Sequence, residues 1–147
     1  MDFNLVVIWG HTNKSHTHYW IHHAFNRAFK YMKYNTLWLS DSLYSIQKID
    51  FTSKILFVTE GQCDNYIPIN DTNFYILHNC NKSKYKKIIN SNRAINMQVY
   101  SNPILKKYTL LKYDDFLYYN ISKKVCYMPW ATDLLPNEIQ EIIDNMK

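Results

Sequence analysis

The pattern of this chain predicts an α/β domain, Rossmann-like and three-layered, with a mostly parallel sheet. Three observations carry that expectation. Short runs rich in β-branched and aromatic residues recur at residues 3–9, 36–39, 54–59, 73–78, 95–100 and 125–128. Such runs, apolar throughout, suit strands covered on both faces, as in parallel sheets. Amphipathic helical segments fall between several of them, and alternating strand and helix builds a parallel sheet. The only two glycines, Gly10 and Gly61, each follow an apolar run and so mark one edge of that sheet.

In chain order, Leu5-Val6-Val7-Ile8-Trp9 is the first strand and belongs among the inner ones of a five- to seven-stranded sheet. In the first helix Ile21, Ala24, Phe25, Ala28, Phe29 and Met32 share a stripe at three- and four-residue spacing. His23, Asn26 and Lys30 then face outward, and Ser15 or Thr17 is placed to cap the helix. A second helix over about 82–92 turns Ile88 and Ile89 inward. A last one over about 136–146 starts with Pro136 and aligns Ile139, Ile142 and Ile143 for packing back on the body. Residues 116–119 read equally as strand or short helix. The segment 129–136, bracketed by prolines, reads as a rigid connector.

At 147 residues, 47% hydrophobic and 16% aromatic, the chain is one ordered domain spanning 1–147. Its net charge of +5 comes almost wholly from lysine, Arg27 and Arg93 being the only arginines. Together with abundant Asn, Tyr and Ile this matches AT-rich coding. The densest cluster, Lys82 to Lys87, fits a solvated helix face, so no nucleic-acid partner is expected. Cys63, Cys80 and Cys126 form no CxxC pair, which argues for reduced thiols and against a zinc knuckle. No signal peptide precedes the first strand and no apolar run reaches the roughly 20 residues of a membrane span, so a soluble, cytoplasmic chain is expected.

Chemistry concentrates at the carboxyl end of the first strand. Five of six histidines, His11, His16, His18, His22 and His23, lie within thirteen residues. Ligands of open α/β sheets bind outside the carboxyl ends of strands. The candidate catalytic residue is His11, next to the strand tip, where a neutral imidazole can serve as general base. The candidate substrate-binding residues are Gly10, Thr12, Lys14, Ser15, His16, His18, Glu60, Gly61, His78 and Asn79. His16 and His18 stand near a helix N-terminus whose amides attract anions. A polar surface loop is the plainer reading of any one of these histidines. The His18/His22 spacing suits a metal, with His11, His78 or Glu60 as a further ligand. Packing beside the apolar stripe explains the pair equally, and no metal and no cofactor are expected. Asp114-Asp115 reads as a solvated pair. There is no DxD, GxGxxG or GxSxG motif.

Val7-Ile8-Trp9-Gly10, leading through Lys14-Ser15-His16 into a helix bearing Tyr19 and Trp20, then Thr36-Leu37-Trp38-Leu39 after the Lys33-Tyr34-Asn35 turn, resembles the amino-terminal half of GT-B glycosyltransferases. Tyr127-Met128-Pro129-Trp130-Ala131-Thr132-Asp133 resembles the phrase that ends that half. The CgeB-like branch and the viral glycosyltransferases of large DNA viruses are nearest in character. The resemblance covers nearly the whole chain through loose motifs. It implies a transferase half holding a sugar or glycan acceptor, with a nucleotide-sugar donor gripped by a C-terminal domain not in this sequence. In isolation such a half would be inactive. The chain is then either an excised N-terminal domain or a single-domain relative lacking the donor site. A His-rich metal-dependent hydrolase and a non-catalytic α/β interaction domain are the alternatives.

Overall fold

The computed structural model describes residues 3–98, 110–112, 118–120, 125–127 and 133–146. Eight strands form one sheet: β1 (Leu5–Trp9), β2 (Thr36–Leu39), β3 (Ile55–Glu60), β4 (Phe74–His78), β5 (Ala94–Gln98), β6 (Leu110–Lys112), β7 (Tyr118–Asn120) and β8 (Val125–Tyr127). Their order is β2-β1-β3-β4-β5-β8-β7-β6. The first six in that order run parallel, and β6 and β7 extend the far edge as an antiparallel hairpin. The α/β class, the mostly parallel sheet and the inner position of β1 are as expected. Eight strands exceed the expected five to seven: β7 takes up 118–119 of the segment read as strand or short helix, and β6, three residues long, was not foreseen. Residues 116–117, Asp114-Asp115, 99–100, 128 and the first half of the connector, 129–132, lie outside the described residues.

Side-chain alternation gives the sheet two apolar faces. Val6, Ile8, Leu56 and Val58 point to one face and meet Phe25 and Phe29 of α1 (Tyr19–Tyr31). Val7, Trp9, Ile55, Phe57, Tyr75 and Leu77 point to the other, beneath α2 (Leu43–Ile46) and α3 (Lys86–Asn90) with Ile46, Ile88 and Ile89. Helices on both faces make three layers, and burial on both sides explains why β1 is apolar throughout and β3 apolar over Ile55 to Val58. Phe57 and Tyr75 stack at 5.4 Å between ring centroids on adjacent strands.

The stripe expected on α1 is rotated. Its buried positions are Tyr19, His22 and Asn26, whereas Ala28 and Met32 are exposed. Asn26 thus faces inward, and His23 lies between Tyr19 and Trp38 instead of in open solvent. Neither Ser15 nor Thr17 caps the helix. Its N-cap is His18, with no side-chain cap.

The last helix, α4 (Pro136–Asn145), does not pack back through its isoleucines. Ile139, Ile142 and Ile143 are each 38% exposed or more, and the helix has no buried residue. It is tethered from its polar side, where Arg27 of α1 hydrogen-bonds Glu138 and His23 lies 3.4 Å from Asp133. Ile142→Ala is therefore expected to cost about 1 kcal/mol or less in chemical denaturation, since a fully buried side chain would contribute about 1.5–3. A loss above about 2 kcal/mol would mean the face is covered.

Candidate functional site

The order β2-β1-β3 places a topological switch point between β1 and β3. The chain leaves β1 through α1 to β2 on one side, then returns past β1 to β3 on the other. A crevice opens outside strand carboxyl ends at such a point, and ligands bind there. Gly10-His11 leaves β1 and Glu60-Gly61 leaves β3 at this place, and register pairing puts His78 beside Glu60 on β4. His18, at the start of α1, comes over the same end.

Both glycines are fixed by close approach. A Cβ on Gly10 would lie 1.9 Å from Nε2 of His22, and one on Gly61 would lie 2.4 Å from the carbonyl oxygen of Asn79. Gly61 N–H donates to the His78 carbonyl at 3.0 Å, and Asn79 N–H to the Met97 carbonyl at 2.9 Å. Asn79 itself adopts φ 51°, a left-handed turn that asparagine tolerates better than most side chains.

The imidazoles cluster around Glu60. His18 Nε2 lies 3.7 Å from Glu60 Oε2, whose carboxylate also accepts the Gln62 N–H at 3.0 Å. The ring of His16 is 5.0 Å from that of His18 and 3.8 Å from that of His11. Burial and the neighbouring His16 push the His11 imidazole below its ordinary value of 6.5, against the opposing pull of the Asp41 and Glu60 carboxylates. His11 is therefore neutral at pH 7 and holds a lone pair for a proton.

Behind this group His22 and His78 are buried, and desolvation lowers each to about 4. His22 Nδ1–H donates to the His18 carbonyl at 2.8 Å, so this imidazole braces the turn. Among the described residues no three His, Cys, Asp or Glu side chains converge to hold a metal ion.

Several backbone amides at the start of α1 are engaged within the loop itself. Ser15 N–H donates to the side chain of Asn13, His16 N–H to its carbonyl, and Tyr19 and Trp20 N–H to the carbonyls of His16 and Thr17. His18 N–H donates to His16 Nδ1. The amides that would greet a phosphate at a helix start are thus already engaged. Thr12, Lys14 and Ser15 stand exposed on the loop, apart from the imidazole group.

Three further residues belong to the site and were not foreseen. Asp41, just past β2, acts electrostatically on His11 and accepts a hydrogen bond from Asn65 Nδ2 at 3.0 Å. Asn65 in turn accepts the Trp9 indole N–H at its carbonyl, 2.8 Å, and locks the loop after β3 onto the end of β1. Cys63 is buried under Glu60, its Sγ 3.6 Å from Oε2, and burial pushes its thiol up to about 12. It is an inert thiol there. The periodicity of strands and helices gives no signal for loop residues such as these.

Cys63, Cys80 and Cys126 form no disulfide. Among the described residues no helix is long and apolar enough to cross a membrane. Comparison with protein-family models, with curated proteins and with solved structures found no match for this chain.

Proposed function

We propose that this chain is the acceptor side of a GT-B-type glycosyltransferase, with His11 as general base on a hydroxyl of a sugar or glycan. The observation that carries the reading is the convergence of His11, His16, His18 and Glu60 at the β1/β3 switch point. Two features support it further. His11 is neutral at pH 7, as a base must be, and carboxylates on two sides stabilise the imidazolium formed when it takes a proton. Five amides around the start of α1 are engaged within the loop, which leaves fewer of them for a nucleotide diphosphate, in keeping with a donor held by a second domain.

In the reaction so proposed, the acceptor hydroxyl gives its proton to His11 while its oxygen attacks the anomeric carbon of the donor sugar. The nucleotide diphosphate departs with the electron pair of the broken glycosidic bond. Gly10 and Gly61 let the two strand ends pack closely against His22 and Asn79 beneath the site.

The test is sugar transfer by the longest natural polypeptide that contains this segment, with His11→Ala as the variant. Loss of a positioned base is expected to slow turnover about a hundredfold or more. Undiminished transfer by the variant removes His11 from the mechanism. Absence of transfer from any nucleotide sugar by the wild-type polypeptide overturns the reading.

A further inference from the structure

His16 and His18 turn the same ring nitrogen toward one another. Their Nδ1 atoms stand 3.3 Å apart and their ring centroids 5.0 Å apart. Two imidazoles on one tetrahedral zinc, with bonds of about 2.05 Å, hold their nitrogens about 3.3 Å and their centroids about 5.2 Å apart. A straight N–H···N bond of the observed length would set the centroids about 5.6 Å apart, so the pair of separations fits a shared metal better. The turn that opens α1 brings the rings together: His16 N–H donates to the Asn13 carbonyl, and Tyr19 N–H to the His16 carbonyl. The far side of His18 is furnished as a metal ligand's is. Its Nε2 faces Glu60 Oε2 across 3.7 Å, and that carboxylate is buried and held by the Gln62 N–H. A carboxylate behind a metal-bound histidine orients the ring and makes it a stronger ligand.

From these positions we propose that His16 and His18 bind a zinc ion through their Nδ1 atoms, with Glu60 supporting His18 from behind. Imidazole nitrogen suits zinc, and zinc takes four ligands without redox chemistry. Two protein groups supply half of that set, in line with the lack of any three converging ligands among the described residues. His11 lies against the ring of His16 at 3.8 Å between centroids, beside the ion and not on it. His16 is exposed, so the two remaining positions are open to water or to an oxygen of a bound molecule. Binding gives up the long contact, 3.3 Å, between the His18 amide and Nδ1 of His16. The carboxylates of Glu60 and Asp41, both acting on this group, favour a divalent cation there. Cys63 is a buried thiol pushed up to about 12, and His22 and His78 are buried, so no stronger ligand draws the ion away.

Only the use of the ion rests on the transferase reading, in which an acceptor hydroxyl fills an open position beside His11. Its binding is tested without any substrate, on the whole chain at neutral pH with zinc as the probe. Calorimetric titration is expected to give one zinc per chain. Long-range 1H–15N spectra are expected to show the Nδ1 resonances of His16 and His18 moving together as zinc is added. Glu60→Gln is expected to weaken binding about tenfold or more, and His16→Ala and His18→Ala to weaken it further. His11→Ala, which removes the base, is expected to keep the zinc affinity of the wild type. Failure of the wild type to bind, zinc that moves Nε2 of these rings instead of Nδ1, or full affinity in His18→Ala overturns the site. The wild-type titration and spectrum decide the matter even if a variant fails to fold. Zinc binding without sugar transfer would sink the transferase reading alone, and transfer by a chain that binds no zinc would sink the zinc site alone.

Discussion

Gly61→Ala is expected to destabilise the protein by about 3 kcal/mol or more, the upper range for forcing atoms into packed space. The added methyl would meet backbone, the Asn79 carbonyl oxygen at 2.4 Å and the Cys80 Cα at 3.0 Å. Backbone cannot swing aside, and β3 and β4 would have to part where Gly61 and His78 are hydrogen-bonded. Gly10→Ala is expected to cost a similar amount for a different reason. Its methyl would enter the ring of His22, which is wholly buried and held at Nδ1 by the His18 carbonyl. Combining Gly10→Ala with His22→Ala therefore recovers part of the loss, a coupling visible in a double-mutant cycle, whereas no side-chain truncation rescues Gly61→Ala. Denaturant midpoints for the four variants check this. Near-wild-type stability of Gly61→Ala would mean that the two strand ends are not so closely joined.

Acidification is expected to have an effect of the same order. Burial holds His22 and His78 at about 4 in the folded chain, against 6.5 when exposed. Below pH 6.5 the unfolded chain takes up protons that the native chain refuses, so stability fully present above 6.5 drains away until about pH 4. Each histidine accounts for about 3 kcal/mol over the whole range, and the two together for about 3 kcal/mol between pH 6.5 and 5. Denaturation midpoints measured at pH 7.5, 6 and 5 should fall steeply, and His78→Leu should flatten the slope by about half. A midpoint unchanged from pH 7.5 to 5 would show these imidazoles already open to water.

How legible this was in the sequence differs by element. The inner strands were plain because a strand buried on both faces carries an unbroken apolar run, as in Leu5–Trp9 and the first four residues of Ile55–Glu60. The hairpin strands β6 and β7, three residues each, offer no such run. On α1 the apolar count found Phe25 and Phe29 but missed His22 and Asn26, which are polar yet lie inward. Buried polar residues are invisible to periodicity. On α4 the reverse happened: an apolar stripe formed, but Ile142 and Ile143 found nothing to cover them. The edge carrying the site was marked by its two glycines, though what demands glycine there is crowding by His22 and Asn79. Asp41, Asn65 and Cys63 reach the site from loops whose path no local signal encodes.

The strand order also sets an order of assembly. Leu56 pairs with Phe74 and Tyr75 with Ala94, each across a loop of about twenty residues, whereas Leu5 pairs with Ile55 about fifty residues away. Closing the longer loop costs about 1 kcal/mol more in chain entropy. Glu60 and His78 are therefore brought side by side by the cheaper closures, within a local unit that can form early. His11 and His18 arrive only when β1 slots between β2 and β3. A chain stalled before that step would hold Glu60 and His78 side by side without the imidazoles of the loop after β1.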